Sequence, residues 1–482
     1  MFAFSAINLG CSKNMVDLEF AIGEILKFSD RTPIEFLEDP EDPHVEYVIV
    51  NTCGFLSSAR SESEETLAYY DSLGKKLILM GCYVSVKDDA FLASLQNLVS
   101  VVPFISYSVI EELVLGKKSK LNLGAIVRAK QAHKESREKT LTRYLESIEA
   151  PGKNAKAFVW KGDEVRAYIH APFGYEYLKV AEGCDNNCTF CIIPTIRGRQ
   201  QSRPIEDVVK EVEQMLESDI REIQIISQDT TRYGTDLYEE PRLMELLEKI
   251  DETITLSGKN AKFRVYYLYP DILTLEHLAR LAKLKHFLPY FDIPFQHISA
   301  NILKLMGRHY DQKHIFSFLD MIRSTFSSSF IRTSFIVGFP GETEENFQEL
   351  CGFIAKYDFE SVGIFQYHDE PLATSSKLPD KVDESIAKNR IEKLTPILEG
   401  IYTRKKDERK GKKQFGYIVD IRDNRGGIRD GEEIKNLISH NSSLMVTIRP
   451  ELHAPEVDEY DEVKIENIEG KVEIGSYVEY IL

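Results

Sequence analysis

Three runs of β-branched and apolar residues, Phe2 to Leu9, Tyr47 to Asn51 and Leu77 to Met80, open the chain. Between them the apolar positions recur with helical spacing, in Asp17 to Phe28 after the first run and Ser57 to Leu73 after the second. Strand and helix in alternation predict a parallel α/β sheet, ending near Leu115. The same alternation resumes at Tyr177 to Ala181 and continues through Glu222 to Ser227, Phe263 to Leu268, Tyr290 to Ile293, Ile331 to Val337 and Ser361 to Phe365. Six strands separated by helices predict an open or partial (β/α) barrel, in which chemistry sits at the carboxyl ends of the strands. After a charged helical stretch, Val382 to Lys413, the pattern changes to period two: Phe415 to Ile421, Leu444 to Ile448, Val463 to Ile465, Val472 to Ile474 and Tyr477 to Ile481. That pattern predicts a small antiparallel β-barrel. The expected division is therefore 1–116, a linker or insertion 117–174, 175–413 and 414–482.

Length agrees with several domains, since 482 residues exceed what one core usually serves. No apolar run approaches the roughly 18 residues that span a bilayer, and Met1 to Gly10 lacks the basic start and long apolar stretch of an export signal. The expected location is the cytoplasm, where thiols stay reduced, so the seven cysteines read as metal ligands or core residues before disulfides. The net charge of −17 argues against bulk attraction to nucleic acid and for a basic partner. One segment runs the other way: residues 117 to 166 hold 13 Lys/Arg against 6 Asp/Glu, with a helical stretch around Ala129 to Ile148. A solvated linker helix is the plainer reading there, a phosphate-contacting surface the other.

The sharpest chemical signal is Cys184-Asp-Asn-Asn-Cys188-Thr-Phe-Cys191, directly after a predicted strand. Three thiolates on one loop can hold three irons of a 4Fe-4S cube and leave the fourth without a protein ligand. A structural zinc site would need a fourth Cys or His, and the loop has none. Cys11, Cys53 and Cys82 each fall at or within two residues of the carboxyl end of one of the N-terminal strands, in INLGCSKN, IVNTCGF and LMGCY. Those ends share one edge of a parallel sheet, so the three can converge on a second open 4Fe-4S site. Cys351, in a predicted helix, is left as structural. A nonenzymatic iron–sulfur carrier is the competing class, disfavoured because neither set has a fourth cysteine.

At the CxxxCxxC loop the chain resembles the radical S-adenosylmethionine superfamily, and YLKVAEGCDNNCTFCIIPTIRGRQQSRP is similar more narrowly to the methylthiotransferases. The resemblance covers essentially the whole chain, with the last domain TRAM-like. It implies two 4Fe-4S clusters on Cys11/Cys53/Cys82 and Cys184/Cys188/Cys191, and S-adenosylmethionine as methyl donor and radical source. It also implies cofactor contacts at Phe190 and in the Gly338-Phe-Pro-Gly341-Glu342 turn. Gln228 and Gln296, at predicted strand ends, are further candidates. The reaction the resemblance implies has two parts: sulfur on the N-terminal cluster would be methylated, and a second S-adenosylmethionine, cleaved with an electron from an external donor, would yield a radical that takes hydrogen from the substrate carbon, which then receives the methylthio group. An alkyl C–H has no acidic proton for a general base, so radical chemistry is what such a carbon requires.

Within the family, one branch modifies adenosine in tRNA and another an aspartate of small-subunit ribosomal protein twelve. NTCGF, SQDTTRYG, FDIPFQH and HAPEVD resemble the second branch. Charge points the same way: Gly416 to Leu482 holds 15 Asp/Glu and 7 Lys/Arg, and an RNA-gripping module should be basic. The acids Glu456, Asp458, Glu459, Asp461 and Glu462 are the expected docking surface for a basic ribosomal protein, with tRNA the alternative substrate.

Overall fold

The computed structural model describes residues 2–102, 113–114, 166–170, 173–423, 426–427 and 444–482. The helix expected around Ala129 to Ile148, with most of the basic segment, lies outside the described residues.

The N-terminal sheet has the parallel strands β1 (Phe2–Asn8), β2 (Ile34–Phe36), β3 (Tyr47–Thr52), β4 (Lys76–Gly81) and β5 (Leu98–Val101) in the order β2-β1-β3-β4-β5. Val48, Ile49 and Val50, like Leu77, Ile78 and Leu79, are fully buried, as both faces of a covered parallel sheet require. The first helix starts at Ser12, five residues before the apolar periodicity suggests. Its first turns carry Lys13, Asn14 and Asp17, polar yet buried, because the helix packs against β6 (Tyr175–Lys179) of the next domain. Polar burial of this kind leaves no amphipathic signal.

In the middle domain β6 is joined by β9 (Glu222–Ile226), β10 (Lys262–Val265), β11 (Phe287–Gln296), β12 (Phe330–Val337) and β13 (Ser361–Gln366), all parallel and in sequence order. A two-residue pair, β7 (Ala181–Glu182) with β8 (Gln201–Ser202), ties off the loop that carries the CxxxCxxC cysteines. Leu178, Ile223, Ile225, Phe263 and Phe291 form one core with the outer helices, so the alternate residues of each strand face the interior. That interior is polar: Lys179, Glu222, Gln224, Arg264 and Asp292 are all buried there.

The C-terminal domain is an antiparallel ladder β17-β16-β14-β19-β18, of β14 (Lys413–Asp423), β16 (Met445–Pro450), β17 (Asp461–Lys464), β18 (Ile468–Glu469) and β19 (Tyr477–Ile481), with β15 (Gly426–Gly427) on β14. The strand expected at Val472 to Ile474 is a turn instead, closed by Ser476 N–H on Glu473 O at 3.0 Å, and the ladder uses Ile468–Glu469. This domain abuts the amino ends of the barrel strands. Arg449 reaches Glu222 at 2.7 Å, Arg264 donates to the Glu451 and Leu452 carbonyls, and the Tyr290 hydroxyl donates to Asp458 at 2.9 Å. The acidic domain therefore lies at the opposite end of the barrel from the cysteine loops.

Candidate active site

The CxxxCxxC loop leaves β7 through Gly183, whose φ of +70° and a Cβ position 2.1 Å from Arg199 O admit only glycine. Cys184 is buried and its N–H bonds Gly198 O, while Thr189 N–H bonds Met306 O at 3.0 Å, so the loop is held from both sides. Backbone N–H groups of Asn186 and Ile193 point at the sulfurs of Cys184 and Cys191, each at 3.4 Å. Burial pushes both thiols up to about 12, and neighbouring cysteines add to it, so these sulfurs become thiolates at neutral pH only when a cation binds them.

Cys11 follows β1 and N-caps the first helix, Cys53 follows β3, and Cys82 follows β4. The Asn14 amide joins them. Its Oδ1 lies 3.5 Å from Cys11 Sγ and 3.6 Å from Cys82 Sγ, and its Nδ2 donates to Thr52 O at 3.0 Å. The three sulfurs lie near one another, Cys11 raising the thiols of both Cys53 and Cys82 and Cys53 raising that of Cys82. Burial pushes Cys82 up to about 11. Desolvation pulls Cys11 the same way, but Lys13 and Arg197 more than reverse it, so that thiol titrates below its ordinary range.

Arg197, from the segment after Cys191, links the two sets of cysteines. Its Nε donates to Cys82 Sγ at 3.3 Å, one Nη to Asn14 Oδ1 at 2.6 Å, and the other to Asp17 and Glu182 at 3.0 and 2.7 Å. Lys179 pairs with the same Asp17 and Glu182. Burial raises Glu182, but Arg197 and Lys179 outweigh it and hold the carboxyl at about 2. Sequence reasoning missed Asn14, Asp17, Lys179, Glu182 and Arg197. The available signal was spacing: Cys11, Asn14 and Asp17 fall three apart on one helix face, which packs on the strand that carries Lys179.

Gln228 donates to Glu182 at 2.7 Å and so belongs to this network, with its Oε1 buried and without a partner among the described residues. Phe190 meets Phe339 of the glycine turn edge-on at 6.5 Å, and Arg308 lies over Phe190 and Tyr269 at 5.6 and 4.7 Å. Arg308 is buried, and its Nε and Nη1 make no hydrogen bond among the described residues. Gly338 and Gly341 have φ of +79° and +84° and shape the turn. Glu342 acts as the turn's anchor, since its carboxylate accepts from Gly338 N–H and pairs with Arg390 at 2.9 Å. Gln296 ends β11 with φ of +70°, and its side chain makes no hydrogen bond among the described residues. Cys351 lies on helix Glu344–Lys356 against the outer core, apart from both sets.

The donor sets suit thiolate-ligated iron: three sulfurs each, N–H or guanidinium donors aimed at sulfurs of both sets, and, among the described residues, Cys351 as the one other cysteine, apart from both. Unpartnered Arg308 and Gln228 atoms beside the Cys184/Cys188/Cys191 loop suit a small zwitterion carrying carboxylate and amino groups.

Comparison with known proteins follows this architecture. The Radical SAM superfamily matches residues 178–354, and the Uncharacterized protein family UPF0004 matches residues 3–103. The radical S-adenosylmethionine methyltransferase TsrM from Kitasatospora setae, solved with cobalamin and a [4Fe-4S] cluster, shares the fold at a TM-score of 0.52 and 12% identity, over 78% of this chain and 77% of that one. The Radical SAM match, on the segment that carries the CxxxCxxC loop, gives the class: a radical S-adenosylmethionine enzyme. Ribosomal protein uS12 methylthiotransferase RimO of Clostridioides difficile is 35% identical over 91% of this chain and 92% of its own length. The RimO of Chlamydia abortus is 34% identical over 99% and 93%, and that of Aquifex aeolicus 34% over 86% and 83%. The chain belongs to the RimO family of radical S-adenosylmethionine methylthiotransferases.

Proposed function

We propose that this protein inserts a methylthio group at the β-carbon of an aspartate in small-subunit ribosomal protein uS12, with Cys184, Cys188 and Cys191 holding one 4Fe-4S cluster and Cys11, Cys53 and Cys82 the other. The carrying observation is Arg197, which binds the sulfur edge of one cysteine set from a segment that begins at the other. Bound there, the clusters and S-adenosylmethionine supply a hydrogen-abstracting radical and the methylthio group that replaces the hydrogen.

The chain's own residues do the positioning. Arg197, Glu182, Asp17 and Lys179 fix the two domains against each other, and Asn14 spaces the N-terminal sulfurs. Phe190, Phe339 and Tyr269 provide an apolar wall that excludes water from a reactive site. Arg308 and Gln228 offer unpaired polar atoms to the S-adenosylmethionine zwitterion, and Phe190 joins Arg308 to Phe339 of the Gly338 to Gly341 turn.

The five acids expected to dock the ribosomal protein need correction. Glu456 binds Tyr175 and Tyr177 at 2.9 Å each, Asp458 binds Tyr290, and Asp461 pairs with Arg409, so three of them hold the domain to the barrel. Glu459, Glu462 and Glu469 are exposed. At the far end from the cysteines, they act as a long-range attractor for a basic partner, and the same sign disfavours tRNA. No described helix is long and apolar enough to cross a membrane; a ribosomal substrate and reductive cofactor cleavage support a cytoplasmic location and a one-electron donor as part of this reading.

The test is mass spectrometry of uS12 after incubation with the anaerobically reconstituted enzyme, S-adenosylmethionine, sulfide and a reductant. One methylthio increment on an aspartate is expected. A modified tRNA with unmodified uS12 would contradict the reading.

A further inference from the structure

Among the described residues the buried cations are, with two exceptions, matched to acids. Arg166 pairs with Glu19, Glu176 and Glu211; Lys179 and Arg197 with Asp17 and Glu182; Arg264 and Arg449 with Glu222; Arg390 with Glu342. The exceptions are Arg308, already placed beside the cofactor, and Lys13. Lys13 is 7% exposed, sits two residues after Cys11, and among the described residues has no carboxylate within ion-pair distance. Its Nζ lies 3.4 Å from the centroid of the Tyr267 ring.

Tyr267 is held to receive it. The residue follows β10 at the carboxyl edge of the barrel with φ of +57°, a conformation uncommon for a non-glycine residue. Its N–H bonds Asp292 Oδ2 at 3.1 Å and its carbonyl accepts from Thr230 N–H at 3.2 Å. A strained backbone pinned on both sides fixes the ring as a platform. A cation–π contact offsets only part of what burial of an ammonium costs. Lys13 thus meets the Tyr267 ring and the Cys11 sulfur but no carboxylate among the described residues, at the end of the barrel where the radical chemistry lies.

We propose that Lys13 is a specificity-determining residue whose ammonium, braced on Tyr267, binds the side-chain carboxylate of the substrate aspartate. This rests on the proposed function, in which the reacting carbon is the aspartyl β-carbon and its carboxylate is one bond away. Holding that carboxylate positions the β-carbon and rejects an asparaginyl or alkyl side chain, which would leave the ammonium buried and unpaired. The alternative role, in which Lys13 only neutralises the charge of a cluster on Cys11, makes a different prediction about the peptide.

The experiment measures binding of two peptides to the reconstituted full-length protein: the uS12 segment with its aspartate, and the same segment with asparagine there. The wild type should prefer the aspartyl peptide by roughly tenfold or more. Lys13→Met should bind both peptides alike, with wild-type iron content as the check that the site has assembled. Tyr267→Leu should reduce the preference while keeping its sign. Undiminished preference in Lys13→Met, loss of iron from that variant, or a wild type that binds and modifies the aspartyl peptide without preferring it would overturn this inference alone. A wild type that binds neither peptide and modifies no uS12 would overturn the proposed function with it.

Discussion

Arg197 donates its Nε proton to the sulfur of Cys82 across 3.3 Å, joining the segment after one cysteine set to a ligand candidate of the other. The same guanidinium is buried against Asn14, Asp17 and Glu182, so it belongs to both domains at once. A lysine cannot reproduce these directions, having a point charge in place of a planar fork. Arg197→Lys and Arg197→Met should both lose iron from the N-terminal set, and Arg197→Met should cost about 3 to 5 kcal/mol of stability by leaving Asp17 and Glu182 with less charge compensation. Iron content and denaturant unfolding check this. Full iron and unchanged stability in Arg197→Met would remove the arginine from the account.

His170 gives a pH signature. Burial opposes its charge, but the carboxylates of Glu176, Glu19 and Glu456 outweigh burial and raise it to about 11. Arg166 shares Glu19 and Glu176 with it. A histidine raised in the folded state contributes stability that is fully present below about pH 6.5 and is lost as pH rises toward 11. Stability should therefore fall on the alkaline side, by at most about 1.4 kcal/mol per pH unit from this proton. His170→Gln should flatten that slope. Because Glu456 comes from the C-terminal domain, release of that domain should accompany the loss, visible as protease cleavage after Lys413.

The exposed acids of the C-terminal domain predict a kinetic effect. Replacing Glu459, Glu462 and Glu469 with lysine should slow association with uS12 by about tenfold at low salt, and the difference should shrink toward physiological ionic strength. Glu456→Lys should act differently, by lowering thermal stability through loss of the Tyr175, Tyr177 and His170 contacts. Stopped-flow association at two salt concentrations separates the cases. Equal rates for wild type and the triple variant would leave the acidic domain without a recruiting role.

The parallel sheets were legible because their strands are buried on both faces and read as short apolar runs between helical periods. The cysteines were legible because each follows such a run. What binds the domains together was not. Lys13, Asn14 and Asp17 are polar residues on a buried helix face, and their partners Tyr267, Arg197 and Lys179 lie more than 150 positions away, so no local period announces them. The acids at Glu456, Asp458 and Asp461 misled for the same reason, since composition does not distinguish an acid facing water from one that meets a buried tyrosine or arginine. Glu342 was likewise placed by its turn, and only the fold shows Arg390 arriving to pair with it.

If each cysteine set holds its own 4Fe-4S cluster with its own task, iron content and product formation must separate when one set is removed. The reconstituted wild type should hold about eight irons, and Ala replacement of Cys184, Cys188 and Cys191 should leave about four and no cleavage of S-adenosylmethionine. Replacement of Cys11, Cys53 and Cys82 should also leave about four, with reductive cleavage retained and methylthio transfer lost. A full iron complement in either triple variant, or methylthio transfer by an enzyme lacking Cys11, Cys53 and Cys82, would contradict the account.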